Sequence, residues 1–581
     1  MRRLWMTGFI AGALLLGLSY ARQRLGDPAD LVLVDGQVLT LDAADTVAQA
    51  VAITKGVIVA VGTNAEVRSR IGPSTRVIDL GGRSVTPGLI DSHVHFNMPS
   101  GESVNLGDED VRSMKDVLDR VAAQVKNARP GEWIRGIGWD EGKLAERRYI
   151  TAADLDTVSP DNPVWLTHTT NHYGVGNSAA LKLAGITSDT RDPAAGTIDR
   201  DAKGNPTGVL KESAQQLVTS RIPPLSARQQ KQGIVQLMKE FNREGMTGAK
   251  DPGIGDQKWN LYQEILKEGQ LTVRIFALWS GGRSLSATKQ LIERVSMRPH
   301  PPSSPSDGLV IFGGVKMFMD GSGGARTAWM YDDWNKNSTE KDTGNAGYPV
   351  MPPDEYRESV KLLHNAGLHI STHAIGDRAI DWVVDSYDQA LTAKPTRGLR
   401  HGIIHANTPT NHAIDVMVRL QRDHDAGYPE SQATFLWWLG DNYTANLGPQ
   451  RSARLKPFRT FMEKGVHWAG GSDYSVAPFP ARYSLWASVA RTTLNGTYGA
   501  QPFGTRESVD VKTALRAQTI WAAHQMFLDD RIGSIEIGKE ADIAVWEQDL
   551  LRAPVNVLKD LKCVLTLLKG NIVYRDTQRL P

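Results

Sequence analysis

The stretch Val85-Thr-Pro-Gly-Leu-Ile-Asp-Ser-His-Val-His-Phe96 joins an apolar run to two histidines two residues apart. Side chains along a strand alternate between its faces, so His93 and His95 point the same way at a strand end. Two imidazoles on one side of a rigid strand make the first half of a divalent metal site, if further ligands arrive downstream. The opposing reading is a pair of surface or core histidines with no ligand role. The Pro87-Gly88 turn before the run and Asp91 beside the pair favour the ligand reading.

On the N-terminal side of this stretch lie short strand-like pieces, residues 31–41, 47–53 and 55–61, with Gly36, Gly56 and Gly62 at the turns. The same texture returns at 532–546, 564–569 and 571–575, the last two flanking Gly570 as a hairpin. The two ends are read as one composite β-sandwich domain, residues 28–84 and 525–578. Between them, residues 85–524 alternate strand and helix. Strand candidates are 247–250, 272–279, 310–319, 369–373, 402–405, 433–438 and 466–470, and helical ones include 228–244, 259–267, 353–366 and 379–392. With the opening strand the count is eight, the pattern of an α/β chain folded as a (β/α)8 TIM-like barrel. Residues 101–224 fall outside that count. They carry β-like pieces of their own (132–139, 164–168) and are read as a large insertion after the first barrel strand, over the barrel mouth.

The 581 residues are 41% hydrophobic and 22% charged, with a formal charge of +2 and no dense Lys/Arg run. Nothing in that balance suggests a nucleic-acid-binding surface, and no nucleic-acid partner is expected. Met1-Arg2-Arg3, an apolar run over 4–18 and Ser19-Tyr20-Ala21 form a secretory signal peptide pattern, residues 1–21, which implies export, in a bacterium to the periplasm. The alternative is an uncleaved anchor, residues 4–20, and membrane association is expected only in that case. Cys563 is the only cysteine. It cannot form an internal disulfide and lies in an apolar run, so its expected role is packing. A homodimer is left open.

In a barrel of this kind functional side chains sit at the C-terminal ends of the strands. Lys316, His373, His405 and Asp473 each end an apolar run there, on candidate strands four, five, six and eight. The motifs Pro87-Gly-Leu-Ile-Asp-Ser-His-Val-His95, Lys316-Met-Phe-Met-Asp-Gly-Ser-Gly-Gly-Ala-Arg-Thr-Ala328, His373-Ala-Ile-Gly-Asp-Arg-Ala379 and Gly471-Ser-Asp473 together resemble the amidohydrolase superfamily. More narrowly they resemble its amidohydrolase-3 (YtcJ-like) branch, which includes N-substituted formamide deformylases. The resemblance extends over the insertion, through Gly138-Trp-Asp140 and the run from His172 to Leu181.

The resemblance implies that His93 and His95 ligate one metal and that His373 and His405 serve a second position. Lys316 would bridge as an N6-carboxylated lysine, and Asp473 would bind metal, hold the attacking water and move its proton. The implied cofactor is a divalent metal, Zn2+ in first rank, as one or two ions. Neutral imidazoles and carboxylates suit such an ion, whereas a lysine ammonium cannot ligate a cation until carbon dioxide converts it to a carbamate. Ile404 stands where the family carries an acidic residue before the histidine matched by His405.

A second set of residues is read as substrate-binding: His172 over the mouth, Asp320 and Arg326 after the lysine, and Trp139 beside Asp140. A turn histidine and a loop ion pair are the competing readings. Trp437 and Trp438 end candidate strand seven, so that one would face the site. Gly376-Asp377 opens a helix and is not a nucleotide loop. The expected function is metal-dependent hydrolysis of carbon–nitrogen bonds in a small-molecule amide or N-formyl substrate. The alternatives are a cyclic amide, carbamate or ester substrate at the same site, or a non-catalytic exported ligand-binding protein.

Overall fold

The computed structural model describes residues 27–581, apart from 97–102, 108–109, 297, 301–307, 336–343 and 497–503. The signal-peptide and anchor readings therefore lie outside the described residues. Among those described, no helix is long and apolar enough to cross a membrane.

Eight strands run parallel in chain order around the centre of the chain: β1 (Leu89–Asp91), β2 (Met246–Ile254), β3 (Arg274–Ser280), β4 (Val310–Phe318), β5 (Ile370–Ala374), β6 (Gly402–His405), β7 (Tyr428–Ser431) and β8 (Ala469–Gly470). Helices return the chain between many of them. That after β5, Asp377–Ala393, buries Ile380, Val383, Val384 and Tyr387 at helical spacing and leaves its polar residues outward. The barrel closes without a regular ladder. Ser92 donates its N–H to the Gly470 carbonyl (3.0 Å), and the Asp91 carboxylate accepts the Ser472 N–H (2.9 Å) and hydroxyl (2.5 Å). Asp91 is thus the clasp between the first and last strands.

The seventh strand corrects the sequence reading. Residues 433–438 are not a strand; Thr434–Trp438 is helical, and the strand is Tyr428-Pro-Glu-Ser431 just before it. Its composition conceals it, because Glu430 points into the barrel. There Lys250 of β2 donates to Glu430 (2.8 Å) and to Ser371 of β5 (2.9 Å), with both ion-pair side chains fully buried. A polar strand is tolerated in a core only when its charge is met in this way. Gly402 makes room for that pair, since a Cβ there would stand 2.1 Å from the Glu430 carboxylate. Trp437 and Trp438 are both buried in the helical turn and packed on each other (5.2 Å between ring centroids), and neither lines the metal pocket.

Two further sheets flank the barrel's N-terminal side. One, in order 57–62, 50–54, 31–34, 76–79, belongs to the N-terminal segment alone. The other is built from both ends: Ser84–Pro87 pairs with Ile543–Trp546 on one side and with Gln37–Leu39 on the other, and the hairpin Cys563–Leu568/Asn571–Arg575 completes it. Leu33, Val51, Ile58, Val85, Ile543 and Leu565 share one apolar core between these sheets. Between β1 and β2 the chain builds a six-stranded sheet from Ser103–Asn105 to Pro206–Glu212, with its own core around Val117, Leu155 and Leu166.

Candidate metal centre

Beyond Asp91 the chain leaves β1 and bends at Ser92 and His93, so the two histidines stand past the strand end and not on the strand as the sequence suggested. Val94 donates to the Lys250 carbonyl (3.0 Å), His95 to that of Tyr474 (2.7 Å), and Asp473 donates to that of His93 (2.7 Å). These bonds bring His93 Nε2 and His95 Nε2 each to 3.3 Å from Asp473 Oδ1. Donors about 2.0–2.1 Å from a tetrahedral ion stand roughly 3.3 Å apart, so the spacing fits zinc.

His405 and His373 complete the cluster from the ends of β6 and β5. Gln432 accepts the His405 Nδ1–H through Oε1 (2.8 Å), and the Gly321 carbonyl accepts the His373 Nε2–H (2.9 Å). Each outward N–H is thereby spent, which leaves His405 Nε2 and His373 Nδ1 facing each other at 3.0 Å. Lys456, fully buried, donates to Gln432 Oε1 (3.2 Å) and so fixes which end of that amide faces His405. His405, Ala406 and Asp473 all have positive φ (73°, 44° and 60°). Non-glycine residues adopt this region only where their surroundings over-determine it, and such strain clusters at functional sites.

Burial sets the charge states. It pushes His93 down to about 3 and His373 and His405 well below the usual imidazole value, which favours the neutral form that can ligate. Burial alone would raise Asp473, but the imidazoles of His93, His95 and His405 around it hold its carboxyl well below the ordinary range. Burial also pushes the Lys316 amine down to about 7. Among the described residues that amine makes no hydrogen bond or ion pair; its one neighbour of note is the Phe318 ring, 4.6 Å away.

These side chains line a cavity of about 210 Å3 at the C-terminal mouth of the barrel. The insertion contributes His172, whose Nδ1 meets Glu212 at 2.9 Å and whose ring tilts over His373 at 5.1 Å. Burial would raise Glu212, yet His172 and the Thr327 hydroxyl outweigh it and hold the carboxyl low. The structure places the other sequence candidates elsewhere. Trp139 is fully buried in the insertion, where its indole donates to the Leu166 carbonyl (3.0 Å). Asp320 accepts backbone N–H groups of Trp329, Ile375 and Gly376 and so orders the loops behind His373. It makes no ion pair with Lys316. Arg326 donates to Asn446 (2.9 Å) and borders a separate cavity of about 600 Å3. His401, the other histidine near β6, faces His364 (3.1 Å) away from the site. Glu212 and Gln432 escaped the sequence reading. Neither belongs to a motif, and only the fold brings each to its histidine.

A second group of potential ligands, Asp140, Glu141 and His168, is buried in the insertion. There Tyr173 donates to Glu141 (2.9 Å) and accepts from His168 Nε2 (2.7 Å), while Thr170 meets His168 Nδ1 (2.9 Å). None of its buried side-chain polar atoms lacks a partner.

A sequence model of the amidohydrolase family matches residues 76–574. The chain is 28% identical to the N-substituted formamide deformylase of Arthrobacter pascens, covering 94% of this chain and 99% of that protein. It is 30% identical to the protein LONG AFTER FAR-RED 3 of Arabidopsis thaliana (93% and 94%) and 28% identical to the putative amidohydrolase YtcJ of Bacillus subtilis (91% and 96%). The fold is shared with two solved structures of uncharacterized metal-dependent hydrolases. One, from Pyrococcus horikoshii, has a TM-score of 0.68 at 22% identity over 90% of this chain and 99% of that one. The other, from Pyrococcus furiosus, has 0.65 at 24% over 90% and 100%.

Proposed function

The chain belongs to the amidohydrolase family, and from that premise we propose that it hydrolyses the carbon–nitrogen bond of small amides or N-formyl compounds. His93, His95, His373, His405 and Asp473 are the residues that would hold its divalent metal. The observation that carries this reading is the facing pair His405 Nε2 and His373 Nδ1, 3.0 Å apart with both outward N–H groups already engaged. Two lone pairs so placed repel each other unless a cation lies between them. Imidazole and carboxylate donors put zinc in first rank. The similarity to the formamide deformylase supports an amide substrate, and N-formyl compounds are our first proposal among them.

When bound, such an ion supplies Lewis acidity and a more acidic water. The chain's own residues do the rest. Asp473, held ionised by the imidazoles around it, accepts a proton from water and delivers it to the departing nitrogen. Lys316, with much of its amine neutral near pH 7, can attack carbon dioxide. A nitrogen–carbon bond forms as one carbon–oxygen π bond of carbon dioxide opens, the amine proton passes to water, and the product would be a carbamate whose single negative charge is shared by two oxygens able to ligate metal. His172, with Nδ1 engaged by Glu212, has Nε2 left for a substrate oxygen. Residues 1–21 are proposed as a cleaved export signal, which N-terminal sequencing of the mature protein tests.

The main test combines metal analysis of protein purified in zinc with a panel of N-formyl amines, linear and cyclic amides, carbamates and esters. The expected result is at least one ion per chain and turnover led by the first two classes. Neither metal nor turnover would sink the reading. Turnover confined to cyclic amides or esters would replace the substrate class and leave the machinery.

A further inference from the structure

The mouth of the metal cavity carries one cation that the chemistry above does not use. Arg283 lies among the residues lining that cavity. It follows β3 in the loop Ser280-Gly-Gly-Arg283, before the helix Leu285–Val295. Gly281 donates its N–H to the backbone carbonyl of Lys316 (2.8 Å), so this loop is tied to the residue at the centre of the site. Both glycines are needed for that approach. A Cβ on Gly281 would stand 2.2 Å from Met317 Sδ, and Gly282 has φ +75° with Ala287 Cβ 2.5 Å from where its own Cβ would be.

The guanidinium lies 5.4 Å from the centroid of the Phe318 ring, the same ring that the Lys316 amine approaches at 4.6 Å. Among the described residues Arg283 makes no hydrogen bond and no ion pair. Of the acids of the cavity, Glu212 feels the guanidinium through space but is hydrogen-bonded to His172 and Thr327, and Asp473 lies against His93 and His95. An arginine held on an aromatic face, with its fork of donors unspent, matches the planar geometry of a carboxylate. A carboxylate on the carbon next to an amide lies about 3 Å from that amide, and the cavity of about 210 Å3 is lined by Arg283 as well as by the histidines.

We propose that Arg283 is a specificity-determining residue that binds an anionic group of the substrate, so that the site takes small amides bearing a carboxylate in preference to neutral ones. This rests on the amide-hydrolase reading above. The test compares N-formylphenylalanine with N-formyl-2-phenylethylamine, which lacks only the carboxylate, in wild type, Arg283→Met and Arg283→Lys. One charge-assisted pair is worth roughly 10- to 100-fold. Wild type is expected to prefer the acid by about that factor in kcat/KM, mainly through KM. Arg283→Met should erase the preference and Arg283→Lys restore part of it. No preference in wild type, or an undiminished preference in Arg283→Met, overturns the assignment.

Binding of 3-phenylpropionate, measured by calorimetry, separates the two readings because it has the carboxylate and no amide. Weaker binding to Arg283→Met than to wild type, with no turnover of either formyl compound, would overturn the amide reading alone. Equal binding to both proteins would overturn the role of Arg283.

Discussion

Two buried histidine–carboxylate clusters stand within one chain, and they differ in what their protons do. At the barrel mouth burial favours the neutral form of three imidazoles, and two of their nitrogens face each other at 3.0 Å. In the insertion Glu141 and Asp140 outweigh burial and hold His168 above its usual value, while Tyr173 links His168 to Glu141. By residue type alone either group could hold a metal. In the insertion, however, both ring nitrogens are already engaged: Thr170 donates its backbone N–H to His168 Nδ1 (3.1 Å) and Tyr173 meets Nε2 (2.7 Å), so no lone pair is left for a cation. A catalytic cluster is therefore distinguished by donors left over after every internal partner has been counted, and burial of histidines and acids does not suffice.

The largest effect that would break this contrast concerns turnover. Asp473→Asn is expected to lower kcat by about a thousandfold or more, because the substituted amide cannot take up a proton. Glu141→Gln, measured beside it, should stay within about tenfold and lose stability instead. Comparable losses of kcat would mean that the insertion cluster takes part in the chemistry.

Next in size is folding. His168→Asn removes the ring that Asp140, Glu141 and Tyr173 surround, and breaking a buried network of this kind costs about 3–5 kcal/mol. Urea unfolding reads this directly, and a loss below about 1 kcal/mol would show the cluster to be solvated.

Metal affinity comes third. Gln432→Leu removes the acceptor that orients His405, and such supporting contacts are worth about 10- to 100-fold in metal affinity. Competition with a chromophoric chelator measures it. Tyr173→Phe, which disturbs the other cluster, should bind zinc as wild type does.

The smallest effect is a pH slope. The folded-state value of His168 is raised, so the stability it contributes is fully present below an unfolded value of about 6.5 and is lost as pH rises through the folded value. The stability gap between wild type and His168→Asn should therefore narrow between pH 6 and pH 9. A gap that widened with pH would reverse the sign of the interaction.

Much of the fold was legible in the sequence because apolar strands and amphipathic helices announce themselves by period. The hairpin around Gly570 and the helix after Gly376 are such cases. Strand Tyr428–Ser431 was not legible, since Pro429, Glu430 and Ser431 carry no strand signal until Lys250 and Ser371 are known to face them. The apolar run that follows it drew the strand to 433–438, where the chain is in fact helical. At the site, the ligand types were legible from strand-end motifs. Glu212 and Gln432 were not, because neither lies in a motif and each meets a histidine 40 or 27 residues away.

The sequence by itself determined which donors this protein has and in what order they stand on the barrel strands, because local periodicity sets which way a side chain leaves its strand. Only the tertiary structure decided how far burial and neighbours shift each histidine, which nitrogen of each ring faces inward, and in which of two candidate clusters ring nitrogens face each other. Those properties depend on desolvation and on neighbours as distant in the chain as His93 and Asp473, and no local pattern carries them.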